Sequence, residues 1–261
     1  MKSFIRALGR EAESRATALA TNRGGETATL YFGGGTPSML SDTHLGRLME
    51  TLDRLVPVDK LDEFSFEANP ATFTEKKVRF WRSLGMTRVS LGVQSLDSGI
   101  LHLLGREHTP AQALHSMEML KNAGMAHINM DLMFAIPGQT LSIWEATLKE
   151  AVRAGTDHIS AYNLTYEEDT EFFRSLLRGE KRQDPDEDAS FFELTEHMLE
   201  AAGMRHYETS NYAREGCLSP HNMAYWKGED YVGIGPGAVS TINGIRYSNT
   251  CLLYTSPSPR D

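Results

Sequence analysis

Short apolar runs alternate along the chain with longer segments whose apolar residues fall at helical spacing. The pattern predicts strands at 27–33, 63–69, 87–94, 126–134 and 157–164. It predicts helices at 1–21, 42–56, 74–84, 110–123 and 142–154. Ser41 or Asp42 and Thr74 stand where N-caps belong. Gly85, Gly124 and Gly155 end three of the helices, each just before the next strand, as αβ loops of a parallel sheet require. The repeat of roughly 30 residues matches βα units. Beyond residue 166 the texture changes. Acidic segments, EEDTEF and RGEKRQDPDEDAS, surround expected helices at about 170–178 and 187–202, and a glycine-, tyrosine- and asparagine-rich region fills 205–250. These shifts divide the chain into a first domain, 1–168, and the start of a second region, 169–250. NGIRYSN reads as a hairpin. The last eleven residues, CLLYTSPSPRD, carry no core pattern and read as a non-native tail over 251–261.

Composition narrows the classes. Twenty-six basic against 35 acidic residues give a net charge of −9, which argues against nucleic-acid and anionic-membrane partners. No apolar run approaches the ~18–20 residues that span a bilayer. The first twenty residues lack the continuous apolar stretch of a signal peptide. Two cysteines, Cys217 and Cys251, give no disulfide framework, so a cytoplasmic location is the expectation.

Ligands of α/β sheets sit at the carboxyl ends of the strands. There the sequence places Gly33-Gly34-Gly35-Thr36-Pro37, Glu67-Ala68-Asn69-Pro70, Gly92-Val93-Gln94-Ser95, Asp131 and, after the third strand, Arg106. Glu67, Gln94 and Asp131 lie in otherwise apolar strands and need partners. A ligand with an amine, hydroxyls and a carboxylate would satisfy them, the glycine loop letting backbone approach an amino-acid head group and Arg106 gripping a carboxylate. Alternatively, the three pair only with each other and with backbone. The loop has no following GK[ST] and is not GxGxxG, so a nucleoside triphosphate or dinucleotide fits poorly.

The element HNMAYW holds His221 and Tyr225, both possible haem-iron ligands, and Trp226, which could stack on a porphyrin. The plainer alternative makes His221 a turn-capping loop residue, with Tyr225 and Trp226 in the core of the second region. Cys217 reads as part of a surface loop, Tyr207, Tyr212 and the GIGPGA run as tight packing. His102, His108, His127 and His158 receive no role.

FGGGTPSML, FEANP, VSLGVQS, LGREHT, INMDLMFAIPGQT and ISAYNLTYEEDT together resemble the radical S-adenosylmethionine enzymes related to oxygen-independent coproporphyrinogen III oxidase. YETSNYAREG and HNMAYWKGEDYVGIGPGAVS resemble the HemW-type haem chaperone branch. The likeness runs in order over about residues 1–249. It implies a partial (βα)6 barrel lacking its first strand, followed by part of an α+β C-terminal domain. It implies S-adenosylmethionine at the strand ends, with Gly34, Gly35 and Thr36 at the methionine end and Glu67, Gln94, Arg106 and Asp131 lining the site. It further implies haem, with His221 and then Tyr225 as the candidate ligands, and a membrane-bound respiratory protein as haem acceptor. One departure is serious. The family's [4Fe–4S] cluster rests on a CxxxCxxC loop, which this sequence lacks, so the resemblance implies a fragment that cannot ligate the cluster. The expected function is that of a haem chaperone-like protein. The rivals are a coproporphyrinogen III oxidase and a cluster-free α/β module binding a small metabolite.

Overall fold

The computed structural model describes residues 1–15, 27–165, 174, 178 and 184–250. The tail at 251–261 and nearly all of the helix expected at about 170–178 lie outside them. The described elements, in order, are α1 (Lys2–Ser14), β1 (Thr29–Phe32), α2 (Asp42–Leu52), β2 (Glu63–Ala68), α3 (Glu75–Ser83), β3 (Arg88–Gln94), α4 (Ser98–Leu103), α5 (Pro110–Asn122), β4 (His127–Phe134), α6 (Leu141–Arg153) and β5 (His158–Asn163). There follow α7 (Pro185–Ala201), β6 (Arg205–His206), β7 (Asn211–Ala213), α8 (Pro220–Trp226), β8 (Val239–Ile242) and β9 (Ile245–Ser248). Among these residues no helix is long and apolar enough to cross a membrane.

The protein is α/β. Seven strands form one sheet in the order β1-β2-β3-β4-β5-β7-β6. β2 to β5 pair in parallel, each with the next. β7 then runs antiparallel to β5 and to β6. The sequence gives no sign of this addition, because strands of two and three residues are too short to show a period. The expected hairpin is β8 and β9, turning at Asn243-Gly244, both at positive φ.

The chain forms two compact units. One comprises Phe32–Met39 and Ser65–Leu218; the other comprises Met1–Tyr31, Leu40–Phe64 and the residues from Ser219 onward. In the first unit α3 begins at the expected cap, Thr74, and three further helices are capped in the same way. The side chains of Thr74, Asp97, Thr109 and Thr140 each accept the backbone N–H three residues on, and Thr109 and Gln112 form a reciprocal capping box. The helices pack on one face of the strands. Phe66, Leu91, Met130, Leu132 and Ile159 supply that face, and Trp81, Leu120, Trp144 and Leu148 cover it. Trp81 meets Phe66 and Phe73 with ring centroids 4.7 and 5.2 Å apart. Trp144 hands its indole N–H to Thr195 Oγ1 at 2.8 Å, fastening α6 to α7.

In the second unit, α1 lies close enough to α2 that a Cβ on Gly9 would meet the Thr51 methyl at 3.3 Å. Glu11 accepts from Asn249 Nδ2 at 2.7 Å and from the Gly235 N–H at 3.2 Å.

Trp81→Ala is expected to cost about 3–5 kcal/mol, because a fully buried ring leaves a cavity that its neighbours fill only partly. Trp226→Ala removes a ring that is 59% exposed and is expected to shift stability by no more than about 0.5 kcal/mol. Urea unfolding of both variants measures the contrast.

Candidate functional site

The face of β2 to β5 opposite the helices is polar. Along β4, Ile128, Met130, Leu132 and Phe134 are buried under helices, so the two-residue period turns Asn129 and Asp131 to the other side. Register aligns like with like across the strands: Glu67 beside Ser90, Ser90 beside Asn129, Gly92 beside Asp131, and Asp131 beside Ser160.

At the carboxyl ends the loops are fastened to these side chains. Glu67 Oε2 accepts the Gly34 N–H at 3.1 Å and so holds the glycine loop. Thr36 receives Asn69 Nδ2 at 3.4 Å. Buried Ser38 joins the same two loops, accepting the Asn69 N–H at 3.3 Å and meeting Thr72 Oγ1 at 2.7 Å. Arg106 Nη2 donates to Asn69 Oδ1 at 3.0 Å and to the Gly92 carbonyl at 2.8 Å, which places the guanidinium over the ends of β2 and β3. Its pKa is lowered by burial, against the attraction of Asp131. A Cβ on Gly92 would fall 2.9 Å from Asn69 Oδ1, 3.2 Å from Arg106 Nη2 and 3.3 Å from Gln94 Nε2, so any larger residue would push these three side chains out of their present places. By contrast, a Cβ on Gly34 or Gly35 would meet nothing within 4 Å.

Backbone strain gathers at the same rim. Ala71, Gln94 and Ala135, just past or at the ends of β2, β3 and β4, take φ of 61°, 68° and 56°. Left-handed conformations cost non-glycine residues about 1–2 kcal/mol each. Such clusters belong to sites where the surrounding structure imposes the geometry. At Gln94 the β3–β4 register also slips, re-aiming the side chain.

Asp131 is the most perturbed acid of this face. Burial pushes its carboxyl up to about 6, against hydrogen bonds from Ser90, Ser160 and Asn129 that pull it down, and the Glu67 charge pushes the same way as burial. Ser90 Oγ reaches Oδ2 at 2.9 Å and Asn129 Nδ2 reaches Oδ1 at 2.7 Å. Asn129 Oδ1 in turn faces His158 Nδ1 at 2.6 Å, and His158 Nε2 faces Tyr207 Oη at 2.7 Å. Because the Asn129 amide nitrogen serves Asp131, its oxygen must accept, so His158 carries its proton on Nδ1 and accepts from Tyr207. Burial, then the Arg88 charge, drive the His158 pKa down to about 3, keeping the ring neutral. Asn129, His158 and Tyr207 were not candidates from sequence. A polar residue two positions before Asp131 on the same strand was the available signal.

His221 and Tyr225 lie in the other unit. HNMAYW is a helix, α8, started by Ser219, whose Oγ accepts the Asn222 N–H at 3.3 Å, and not a loop. His221 Nδ1 meets Thr29 Oγ1 at 2.8 Å. Its ring stacks on Tyr31, centroids 4.7 Å apart and planes within 9°, and stands edge-on to Tyr225 at 4.9 Å. Burial lowers its pKa, against Glu63. Tyr225 and Trp226 are exposed, at 47% and 59%, rather than core.

Residues 10–151 match the sequence profile described as the Radical SAM superfamily. The chain belongs to the radical SAM superfamily. Among curated relatives, "Heme chaperone HemW" of Lactococcus lactis is 37% identical over 222 residues, 85% of this chain and 59% of that protein. "Radical S-adenosyl methionine domain-containing protein 1, mitochondrial" of Danio rerio is 35% identical over 85% of this chain and 50% of its own length. Coproporphyrinogen III oxidase (HemN) from Escherichia coli shares the fold, with a TM-score of 0.80 and 23% identity over 97% of this chain and 60% of that one. The chain therefore spans about half to three-fifths of the length of these relatives.

Radical SAM proteins as a family pair S-adenosylmethionine with a [4Fe–4S] cluster. The strand ends fit the first. They offer two glycines with open space beside them, two carboxyl groups that can accept and a guanidinium that donates, the set an amino-acid head and ribose call for. The 261 residues do not fit the second, since Cys217 and Cys251 cannot supply the three closely spaced thiolates.

The buried neutral His158 sets a pH test. Unfolded, the imidazole takes up a proton below about pH 6.5; folded, it resists until about 3. Stability therefore falls as pH drops through 6.5, by up to about tenfold in the unfolding constant per pH unit. His158→Gln is expected to flatten this fall, measured as the difference between variant and wild-type urea midpoints from pH 7 to pH 4.

Proposed function

We propose that this chain is the cofactor- and haem-handling part of a haem chaperone of the radical SAM superfamily. It binds S-adenosylmethionine at the strand ends and haem at α8, and the whole protein passes haem to a respiratory acceptor at a membrane. The observation that carries the reading is the constellation of Gly34, Gly35, Thr36, Glu67, Gln94, Arg106 and Asp131 on the rim of one unit. The likeness to curated haem chaperones supports the choice of cargo. The likeness to coproporphyrinogen III oxidase is one of fold.

In this reading Arg106, already braced by Asn69 and Gly92, grips the methionine carboxylate. The glycine loop, braced by Glu67, lets backbone approach the amino group without a Cβ in the way. Asp131 accepts from ribose hydroxyls and Gln94 both donates and accepts. The bound sulfonium is the group's chemical asset; the residues named only bind and orient it. For haem, His221 offers Nε2, since Nδ1 is engaged by Thr29, and exposed Tyr225 and Trp226 provide faces for a porphyrin.

Equilibrium dialysis with labelled S-adenosylmethionine tests the first site. Gly92→Ala, which drives a methyl into Arg106 and Asn69, and Asp131→Asn are expected to weaken binding by about 10- to 100-fold, the scale of a charge-assisted hydrogen bond. Wild-type affinity is expected to fall as pH drops through about 6, where Asp131 gains its proton, and the inflection is expected to vanish in Asp131→Asn. Unchanged binding in both variants contradicts the assignment and leaves a different small metabolite as the ligand to seek.

Haem titration followed by the Soret band tests the second. His221→Ala is expected to shift the band and lower affinity, while Tyr225→Phe separates ring stacking from oxygen ligation. A spectrum unmoved by either variant removes α8 from haem binding.

A further inference from the structure

The strand end opposite the polar rim holds a second group of ligand-bearing side chains. His127 opens β4, and Asp157 sits immediately before β5. Cys217 lies on the turn after β7. Its N–H donates to the Arg214 carbonyl at 3.0 Å, and the Arg214 N–H donates to the Asp157 carbonyl at 2.9 Å. One ligand atom from each of His127, Asp157 and Cys217 lies within 4.8 Å of the other two. His127 Nδ1 is 3.2 Å from Asp157 Oδ2. All three side chains are half-buried and belong to the same compact unit.

We propose that His127, Asp157 and Cys217 form a binding site for a thiophilic divalent cation of the zinc class, with a fourth position left to water. The donor types, imidazole nitrogen, carboxylate oxygen and thiolate sulfur, are the set such a cation selects. Ligand bonds of about 2.0–2.3 Å in a tetrahedron put donor atoms roughly 3.5 Å apart. The His127–Asp157 pair already stands at 3.2 Å, and the thiol, within 4.8 Å of both, has to close on them by up to about 1.3 Å. Each ligand is anchored. Asp157 Oδ1 accepts the Ile128 N–H at 3.0 Å, so the carboxylate is turned with Oδ2 toward His127. Arg88 Nη2 donates to the carbonyls of Cys217 and Leu218, each at 3.0 Å, and so fixes the turn that carries the thiol.

Charge also balances. A thiolate and a carboxylate neutralise the two charges of the cation, and the imidazole adds none. The thiol proton leaves to solvent on binding, with no redox change. In the metal-free chain burial, then the Asp157 charge, raise the Cys217 pKa and the Arg88 guanidinium offsets them only in part, so it is the cation itself that must draw off the thiol proton. A cation in this place ties β4, β5 and the turn after β7 together, where the antiparallel strand joins the parallel ones. The other reading of the trio is a closed set of hydrogen bonds with no affinity for metal.

Cobalt(II) titration of the purified chain decides between them. The site predicts one equivalent bound with a thiolate-to-cobalt charge-transfer band. The band is expected to vanish in Cys217→Ser, to persist in Cys251→Ser, and to need at least tenfold more cobalt in His127→Gln. Zinc is expected to displace it, and to raise the thermal midpoint of the wild type but not of Cys217→Ser. Metal-free melting curves of the variants establish that each is folded. Absence of the band at saturating cobalt, its survival in Cys217→Ser, or an unchanged titration in His127→Gln overturns the proposal. None of these readouts depends on S-adenosylmethionine or haem.

Discussion

Parallel strands in α/β proteins are usually apolar on both faces, because helices cover both. In this chain the hydrogen-bonded register of β2 to β5 instead lines up polar side chains on the face away from the helices, setting Glu67, Ser90, Asn129, Asp131 and Ser160 side by side. A slip of one residue in any of these strands would exchange that row for Phe66, Leu91, Met130 and Ile159. The helix-covered core therefore protects the site. The apolar side chains that anchor the register are also what prevents the polar row from turning inward.

That polar row is costly unless each member is satisfied. The structure answers with a chain of neutral partners behind the single raised acid. Asn129 and Ser90 hold Asp131, His158 holds Asn129, and Tyr207 holds His158. A charged His158 would carry a second proton on Nε2, where the neutral ring accepts from Tyr207, and burial opposes that charge. The rim adds a second expense in the left-handed residues Ala71, Gln94 and Ala135. A fold that needed these loops only for connection could place glycine there. Retaining side chains at strained positions fits a rim shaped around a ligand.

The parallel part of the fold could be read from the sequence because each βα unit repeats the same local signals: a cap, an amphipathic helix, a terminal glycine and a short apolar strand. Residues such as Thr74, Gly85 and Gly124 act within one turn of chain, and local chemistry needs no tertiary knowledge. β6 and β7 escaped because their pairing depends on β5, distant in sequence. Glu67, Gln94, Arg106 and Asp131 stood out as polar residues at strand ends, and the structure gathers them in one unit. Asn129 and His158 did not, since their meaning comes from cross-strand neighbours. The same holds for Cys217, which looked like a plain loop residue until β7 carried it beside Asp157 and His127. His221 lies on a helix because Ser219 caps it and Pro220 starts it, a signal present in the sequence itself.

In the proposed function the strand-end face is a ligand site. Hydrogen–deuterium exchange of the chain with and without S-adenosylmethionine tests this most directly. Slower exchange confined to the amides of 33–36, 67–72 and 92–95 is the predicted result. Exchange there that is indifferent to S-adenosylmethionine, with protection elsewhere or nowhere, contradicts it.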